Sequence, residues 1–147
     1  MAVTLKGITE DNFIDAFNLK LKKDQEEFVS HPIRSLAQAY VYRDQCQPFG
    51  IYEDDRMVGY MMVIYDYDVP EYDIWHMMID ETQQGKGYGK AALLLGIERM
   101  KEEHHIQEMY TGVALGNEVA ERLYESIGFQ LTGLVENGMK ELRYICK

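Results

Sequence analysis

Cysteine is scarce in this chain: 147 residues hold two, Cys46 and Cys146, a hundred positions apart. Neither has a CxxC partner, so no disulfide framework and no zinc cluster is implied. The three prolines are scattered, and no linker, repeat or low-complexity run breaks the sequence. No apolar run approaches the length that crosses a membrane. The N-terminus does not read as a signal peptide. Bases are in deficit, with 15 Lys and Arg against 25 Asp and Glu, a net charge of −10. Such a surface repels nucleic-acid phosphates and anionic lipid, and it attracts cations. The expectation is therefore no metal, no nucleic-acid partner and no membrane partner. They leave a cytoplasmic enzyme or binding protein as the expectation.

What is present is an apolar content of 46%, enough for one packed domain over residues 1–147. The most informative stretch is Gln84-Gly85-Lys86-Gly87-Tyr88-Gly89-Lys90. It follows an apolar strand, Ile74 to Ile79, and leads into an apolar helix, Ala91 to Met100. Glycines at such a bend let a ligand approach the backbone N–H groups closely. The unpaired amides and the positive end of the helix dipole face the same point, which suits an anion such as a pyrophosphate. Lys86 and Lys90 add positive charge. Lys90 stands where G-x-G-x-x-G needs its third glycine, and no G-x-x-x-x-G-K-[ST] run exists. What remains is Q-x-x-G-x-G, from Gln84 to Gly89.

Along the chain, Met1 to Ile8 predicts a strand. Thr9, Glu10 and Asp11 predict a helix start, and Ser35 predicts the cap of a second helix. Pro48–Tyr52 and Met57–Tyr65 predict a hairpin around Glu53-Asp54-Asp55-Arg56. Tyr72–Ile79 and Ile106–Val113 predict strands on either side of the long helix. Asn117 predicts the cap of a helix with Val119, Ala120, Leu123, Tyr124 and Ile127 on its apolar face. Phe129–Val135 and Met139–Ile145 flank the turn Glu136-Asn137-Gly138, a strong hairpin signal. The order is β-α-α-β-β-β-α-β-α-β-β, an α/β class with a mixed sheet.

Two strings besides Gln84–Gly89 carry a resemblance. Asn117 to Phe129 reads N-x-x-A-x-x-L-Y-x-x-x-G-F. The N-terminal half carries Leu19-Lys20-Leu21, Gln25-Glu26-Glu27-Phe28-Val29 and Ser35-Leu36-Ala37, and Met78-Ile79-Asp80 precedes the loop. With the element order, these resemble the GNAT superfamily of N-acetyltransferases over essentially the whole chain. Within it they resemble the bacterial spermine/spermidine acetyltransferase branch. The resemblance implies acetyl transfer from acetyl-coenzyme A to a primary amine by direct attack in a ternary complex, without a metal. Another small amine or a peptide N-terminus is the alternative within the class. A non-catalytic acyl-coenzyme A module and an acidic interaction domain are the alternatives outside it. GNAT proteins are often homodimers, although no residue here marks an interface.

An amine with a pKa near ~10.4 is free of its proton in about one molecule in ~2,500 at pH 7. Transfer therefore needs a route for that proton, stabilisation of an oxyanion and an acid for the leaving thiolate. Tyr124 lies seven residues after Asn117, on the same helical face. The resemblance makes Tyr124 the acid and puts Asn117 beside the pantetheine arm. It also implies that the backbone of Met77, Met78 and Ile79 pairs with the pantetheine amides. Gln84, Gly85, Lys86, Gly87, Tyr88, Gly89 and Lys90 would bind the pyrophosphate. His76 stands where many GNAT enzymes have glutamate and is a candidate base. Glu71 or Asp73 acting through water is an alternative, and a β-bulge expected here leaves strand parity open. Asp66, Asp68, Glu71 and Asp73, with Glu27 from a second acidic cluster, are the candidate binders of a small cationic amine. Tyr65, Tyr67 and Tyr72 interleave with them.

Overall fold

A computed structural model describes residues 2–147. The first strand, β1, is Val3–Gly7; Met1 lies outside the described residues. Next come α1 (Phe13–Phe17), a 3-10 turn (Lys23–Gln25), α2 (Pro32–Val41), β2 (Cys46–Glu53) and β3 (Arg56–Asp66). The remainder is β4 (Glu71–Ile79), α3 (Tyr88–His104), β5 (Glu108–Ala114), α4 (Glu118–Ser126), β6 (Gln130–Glu136) and β7 (Met139–Ile145). This is the order expected from the sequence.

The strands form one seven-stranded sheet in the order β1-β2-β3-β4-β5-β7-β6. All neighbours are antiparallel except β4 and β5. That exception follows from connectivity, because a crossover through a helix returns the chain in the same direction. The tight turns follow from chemistry. Asn137 and Gly138 take φ of 52° and 76°, the left-handed pair that a two-residue hairpin requires.

Burial divides the sheet into two faces. Ile51, Val58, Met61, Val63 and Ile74 pack with Leu93 and Ile97 of α3 and Tyr124 of α4. Tyr60, Met62, Ile64 and Met78 point the other way and pack with Ala16 and Leu19 near α1. Among the described residues, no helix is long and apolar enough to cross a membrane.

Three helix starts differ from expectation. Asn12, not Thr9, is the N-cap of α1; its Oδ1 accepts from the Thr9 amide at 2.8 Å. His31, not Ser35, caps α2, with Nδ1 accepting from the Ile33 amide at 3.1 Å. Pro32 follows at the first helical position, where its fixed φ and missing N–H cost nothing. Ser35 is instead buried inside α2, hydrogen bonded to the Tyr60 hydroxyl at 3.0 Å. Finally, α3 begins at Tyr88 rather than Ala91, because Gly87, at φ 86°, already makes the turn.

Candidate active site

β4 has two unlike edges. Toward β3 it pairs from Glu71 to Ile79. Toward β5 only Asp73 with Tyr110 and Ile74 with Thr111 are in register. Beyond those pairs the parallel strands separate. The β5-side backbone edge of the later β4 residues is left without a strand neighbour, and buried amides need partners.

A bulge sits at the point of separation. Met62 is opposite His76 and Val63 is opposite Ile74, so Trp75 is the extra residue. The bulge resets the alternation, as bulges do. Ile74 and Met77 face α3, while His76 and Met78 face the α1–α2 side.

The glycine loop closes one end of the opening. Gly85 and Gly87 hold φ of 78° and 86°, and Gly87 caps α3 without any side-chain cap. The first amides of that helix therefore have no partner among the described residues. A Cβ on Gly89 would stand 3.4 Å from Leu123 of α4, so this glycine lets the helices approach.

A cavity of about 540 Å³ runs from this loop along β4. Met77, Met78, Ile79, Gln84, Gly85, Gly87, Tyr88, Gly89, Lys90 and Asn117 all line it. Lys86 does not; its Nζ donates to Gln83 Oε1 at 3.1 Å on the surface. Two side chains in the loop point away from an anion. The Tyr88 hydroxyl donates to Glu53, and Gln84 Nε2 donates to the Ile79 carbonyl at 2.9 Å and to Gln25 at 2.8 Å.

A second cavity, of about 400 Å³, opens toward α2 and is lined by His76, Trp75, Ser30, Arg34 and Gln38. Phe28, Val29, Met77, Asn117, Ala120 and Tyr124 line both cavities. The two spaces therefore meet across the gap between β4 and β5, with Tyr124 at the junction.

Tyr124 is 5% exposed. Burial pushes its phenol up to about 12, opposed by the Thr111 hydroxyl, so it carries its proton at neutral pH. Asn117 caps α4, its Oδ1 accepting from the Ala120 amide at 3.4 Å. His76 is 8% exposed, and its Nε2 is buried without a hydrogen-bond partner among the described residues. Its ring meets Tyr60 edge-on at 5.0 Å between centroids. Burial lowers its pKa to about 4; the Ser30 backbone opposes this and the His31 imidazole adds to it. The imidazole is neutral at pH 7.

The candidate acids separate into groups. Asp66 stands opposite Glu71, and Asp73 stands opposite both Ile64 and Tyr110. All three share the sheet face that carries His76. Burial, followed by repulsion from neighbouring carboxylates, raises both Glu71 and Asp73 to about 7. Two of those neighbours, Glu108 of β5 and Glu141 of β7, were not expected from the sequence. None of these five carboxylates is in an ion pair among the described residues. Asp68 is exposed in the turn after β3, its amide bonded to Asp66. Glu27 lines a groove of about 960 Å³ along the α1–α2 connection, together with Glu26, Lys20, Lys23 and Arg34; it adjoins the 400 Å³ cavity at Phe28, Val29, Ser30 and Arg34.

A mixed sheet that opens beside a glycine-bounded helix start, with a protonated tyrosine at the opening, is the plan of an acyl-group transferase. Residues 11–129 match the acetyltransferase (GNAT) family, and the chain belongs to it. It is an acetyl-CoA-dependent N-acetyltransferase. A spermine/spermidine N(1)-acetyltransferase of Bacillus subtilis (strain 168) is 29% identical, over 95% of this chain and 96% of that protein. A Vibrio cholerae spermidine N-acetyltransferase, solved with coenzyme A and spermine, aligns over 97% of this chain and 95% of its own, with TM-score 0.74 and 18% identity. Aminoglycoside acetyltransferase AAC(6')-Ib, solved with coenzyme A and kanamycin, aligns over 98% and 95%, with TM-score 0.80 and 18% identity. At such identities the structural likeness speaks for the fold, which serves unlike amines.

Proposed function

We propose that this enzyme acetylates a terminal amine of a polyamine of the spermine or spermidine class. The observation that carries this is the row of carboxylates Asp66, Glu71, Asp73, Glu108 and Glu141, gathered on one sheet face with no ion-pair partner among the described residues. A linear polycation supplies the missing counter-charges. At ~4 Å and an effective dielectric of ~20, each close pair is worth roughly 4 kcal/mol before desolvation and screening. The likeness to the Bacillus protein supports the same class.

In this mechanism the pyrophosphate of acetyl-coenzyme A lies on the amides of Gly85 to Lys90. The pantetheine arm pairs with the open edge of Met77 to Ile79 as an added strand would. A backbone amide near Met77 or Met78 polarises the thioester carbonyl. The acceptor amine enters from the His76 side of the gap. His76, neutral, accepts a hydrogen bond from its N–H. The ammonium proton passes through water to Asp73 or Glu71, whose raised pKa suits a base near neutrality. The nitrogen lone pair then forms the C–N bond, the C–S bond breaks, Tyr124 gives its proton to the departing sulfur, and the second proton that the nitrogen sheds as the amide forms returns Tyr124 to its neutral state.

The test is acetyl transfer across triamines, diamines, monoamines, aminoglycosides and peptides, at low and high salt. Triamines should give the highest kcat/KM, and salt should raise their KM most. A salt-independent preference for a monoamine would sink the polyamine reading. A second reading, an acceptor bearing a carboxylate such as a peptide, draws on Arg34, the one charged side chain lining the 400 Å³ cavity among the described residues. The same panel separates the two.

A further inference from the structure

We infer that Gln25 is a positioning residue that links the cofactor loop to the wall of the acceptor cavity. Gln25 ends the 3-10 turn between α1 and α2. Its side-chain amide exchanges two hydrogen bonds with that of Gln84, Nε2 to Oε1 at 3.0 Å and the reverse at 2.8 Å. Gln84 is fixed in turn by the Ile79 carbonyl, at 2.9 Å, and it immediately precedes the glycines. The backbone carbonyl of the same Gln25 accepts from the amides of Phe28 and Val29, at 3.0 and 3.1 Å. One residue therefore touches the start of the glycine loop with its side chain. With its backbone it holds Phe28 and Val29, two of the six residues that line both cavities.

Two further bonds make this a fixed seam. Asp80 Oδ1 accepts from the Lys20 amide at 2.8 Å, and the Glu81 amide donates to the Lys20 carbonyl at 2.7 Å. Residues 20–25 are thus sewn to residues 79–84 beside the loop. On the far side of the opening, the Phe28 ring lies 3.6 Å from where a Cβ on Gly116 would stand. Phe28 thereby spans the gap between the α1–α2 connection and the β5–α4 connection. Ligand binding that orders the glycine loop also orders Gln84, and through Gln25 it fixes Phe28 and Val29 where the acceptor must enter. The two ligands then bind with positive coupling, since the second finds its wall already ordered.

The structural half of this inference needs only coenzyme A; its consequence for the acceptor rests on the proposed amine cavity. Hydrogen exchange at the Phe28 and Val29 amides, with and without coenzyme A, tests the first half. Coenzyme A should slow both amides in the native protein and should lose most of that effect in Gln25→Ala. Gln84→Ala, which cuts the same bond from the other side, should behave alike, and the double variant should be no worse than either single one. Gln25→Ala should weaken acceptor binding about 5-fold at saturating coenzyme A, the scale of one or two hydrogen bonds, weaken coenzyme A equally at saturating acceptor, and leave coenzyme A affinity without acceptor within about 2-fold. Equal protection in native and variant proteins would overturn the inference, as would a bound coenzyme A that leaves Phe28 and Val29 unprotected. If the exchange result stands and no amine is acetylated, the amine reading fails and the linkage survives.

Discussion

The two sides of the gap between β4 and β5 are built by different means. The cofactor side is local: a glycine loop, the start of α3 and the open edge of β4 follow one another over residues 77–90. Most of its ligand groups are backbone. The acceptor side is assembled from a distance. Part of its wall comes from residues 28–38, and the carboxylates of β3, β4, β5 and β7 lie beyond that lining, on the same sheet face as His76. Tyr124 lies where they meet, on α4, an element that lines both. A site built from backbone can serve one cofactor across a family while the side chains opposite it change. Substitutions away from the Gln25 seam should therefore divide between effects on acetyl-coenzyme A and effects on the amine.

The largest effect should come from the junction. Tyr124→Phe keeps the ring that packs edge-on against Phe129 at 5.2 Å and removes only the hydroxyl. We expect kcat to fall about 100-fold or more, the usual contribution of a positioned acid. Coenzyme A affinity by calorimetry should change by less than about 2-fold. A normal kcat would remove Tyr124 from the chemistry.

On the acceptor side, Glu71→Gln with Asp73→Asn should raise the KM for a triamine about 10-fold and barely alter that for a monoamine. The pH dependence has a definite sign. Both acids carry a pKa raised to about 7. They are neutral below that value and charged above it, so triamine KM should fall as pH rises from 6 to 8. In the double variant the dependence should flatten. Stability moves oppositely. Between the ordinary carboxylate pKa near ~4 and about 7 the native protein holds protons that the unfolded chain has lost, so stability falls as pH rises through that window. Asp73→Asn should therefore raise the melting temperature at pH 8, by about 2–4 °C. A lowered melting temperature would mean that these acids are satisfied as they stand.

On the cofactor side, Gly87→Ala forces a Cβ into a φ of 86°, a cost of ~1–2 kcal/mol. Acetyl-coenzyme A KM should rise about 5- to 10-fold with the triamine KM little changed. A rise in both would show that the two sides are not separable, as the Gln25 seam allows in part.

This division also explains what the sequence made legible. Element order, the glycine turn, the Asn137-Gly138 hairpin and the cap at Asn117 are written in neighbouring residues, and local rules read them. A bulge that flips the alternation near His76 is expected, but its place at Trp75, which turns His76 from the Tyr124 face to the α2 face, depends on the pairing with β3. Glu108 and Glu141 join Glu71 and Asp73 only because β7 returns between β5 and β6, and no local pattern announces that order. Gln25 was visible only as part of a string, since its partner lies 59 residues away. Ser35 misled because a hydroxyl near a helix start reads as a cap. Nothing nearby shows that Tyr60 is waiting for it.

The smallest effect sharpens the question of the base. If His76 took the amine's proton outright, the acid limb of kcat/KM would follow its own titration, which burial has moved to about 4. If it only accepts a hydrogen bond, the limb belongs to Asp73 and Glu71, near 7. His76→Gln keeps an acceptor in roughly the same place and cannot titrate. With the imidazole as a hydrogen-bond acceptor alone, kcat should drop only about 3- to 5-fold, the scale of one imperfectly replaced hydrogen bond, and the limb near pH 7 should persist. Disappearance of that limb in His76→Gln, with its persistence in Asp73→Asn, would return the base to His76. The acids would then serve only to hold the polycation.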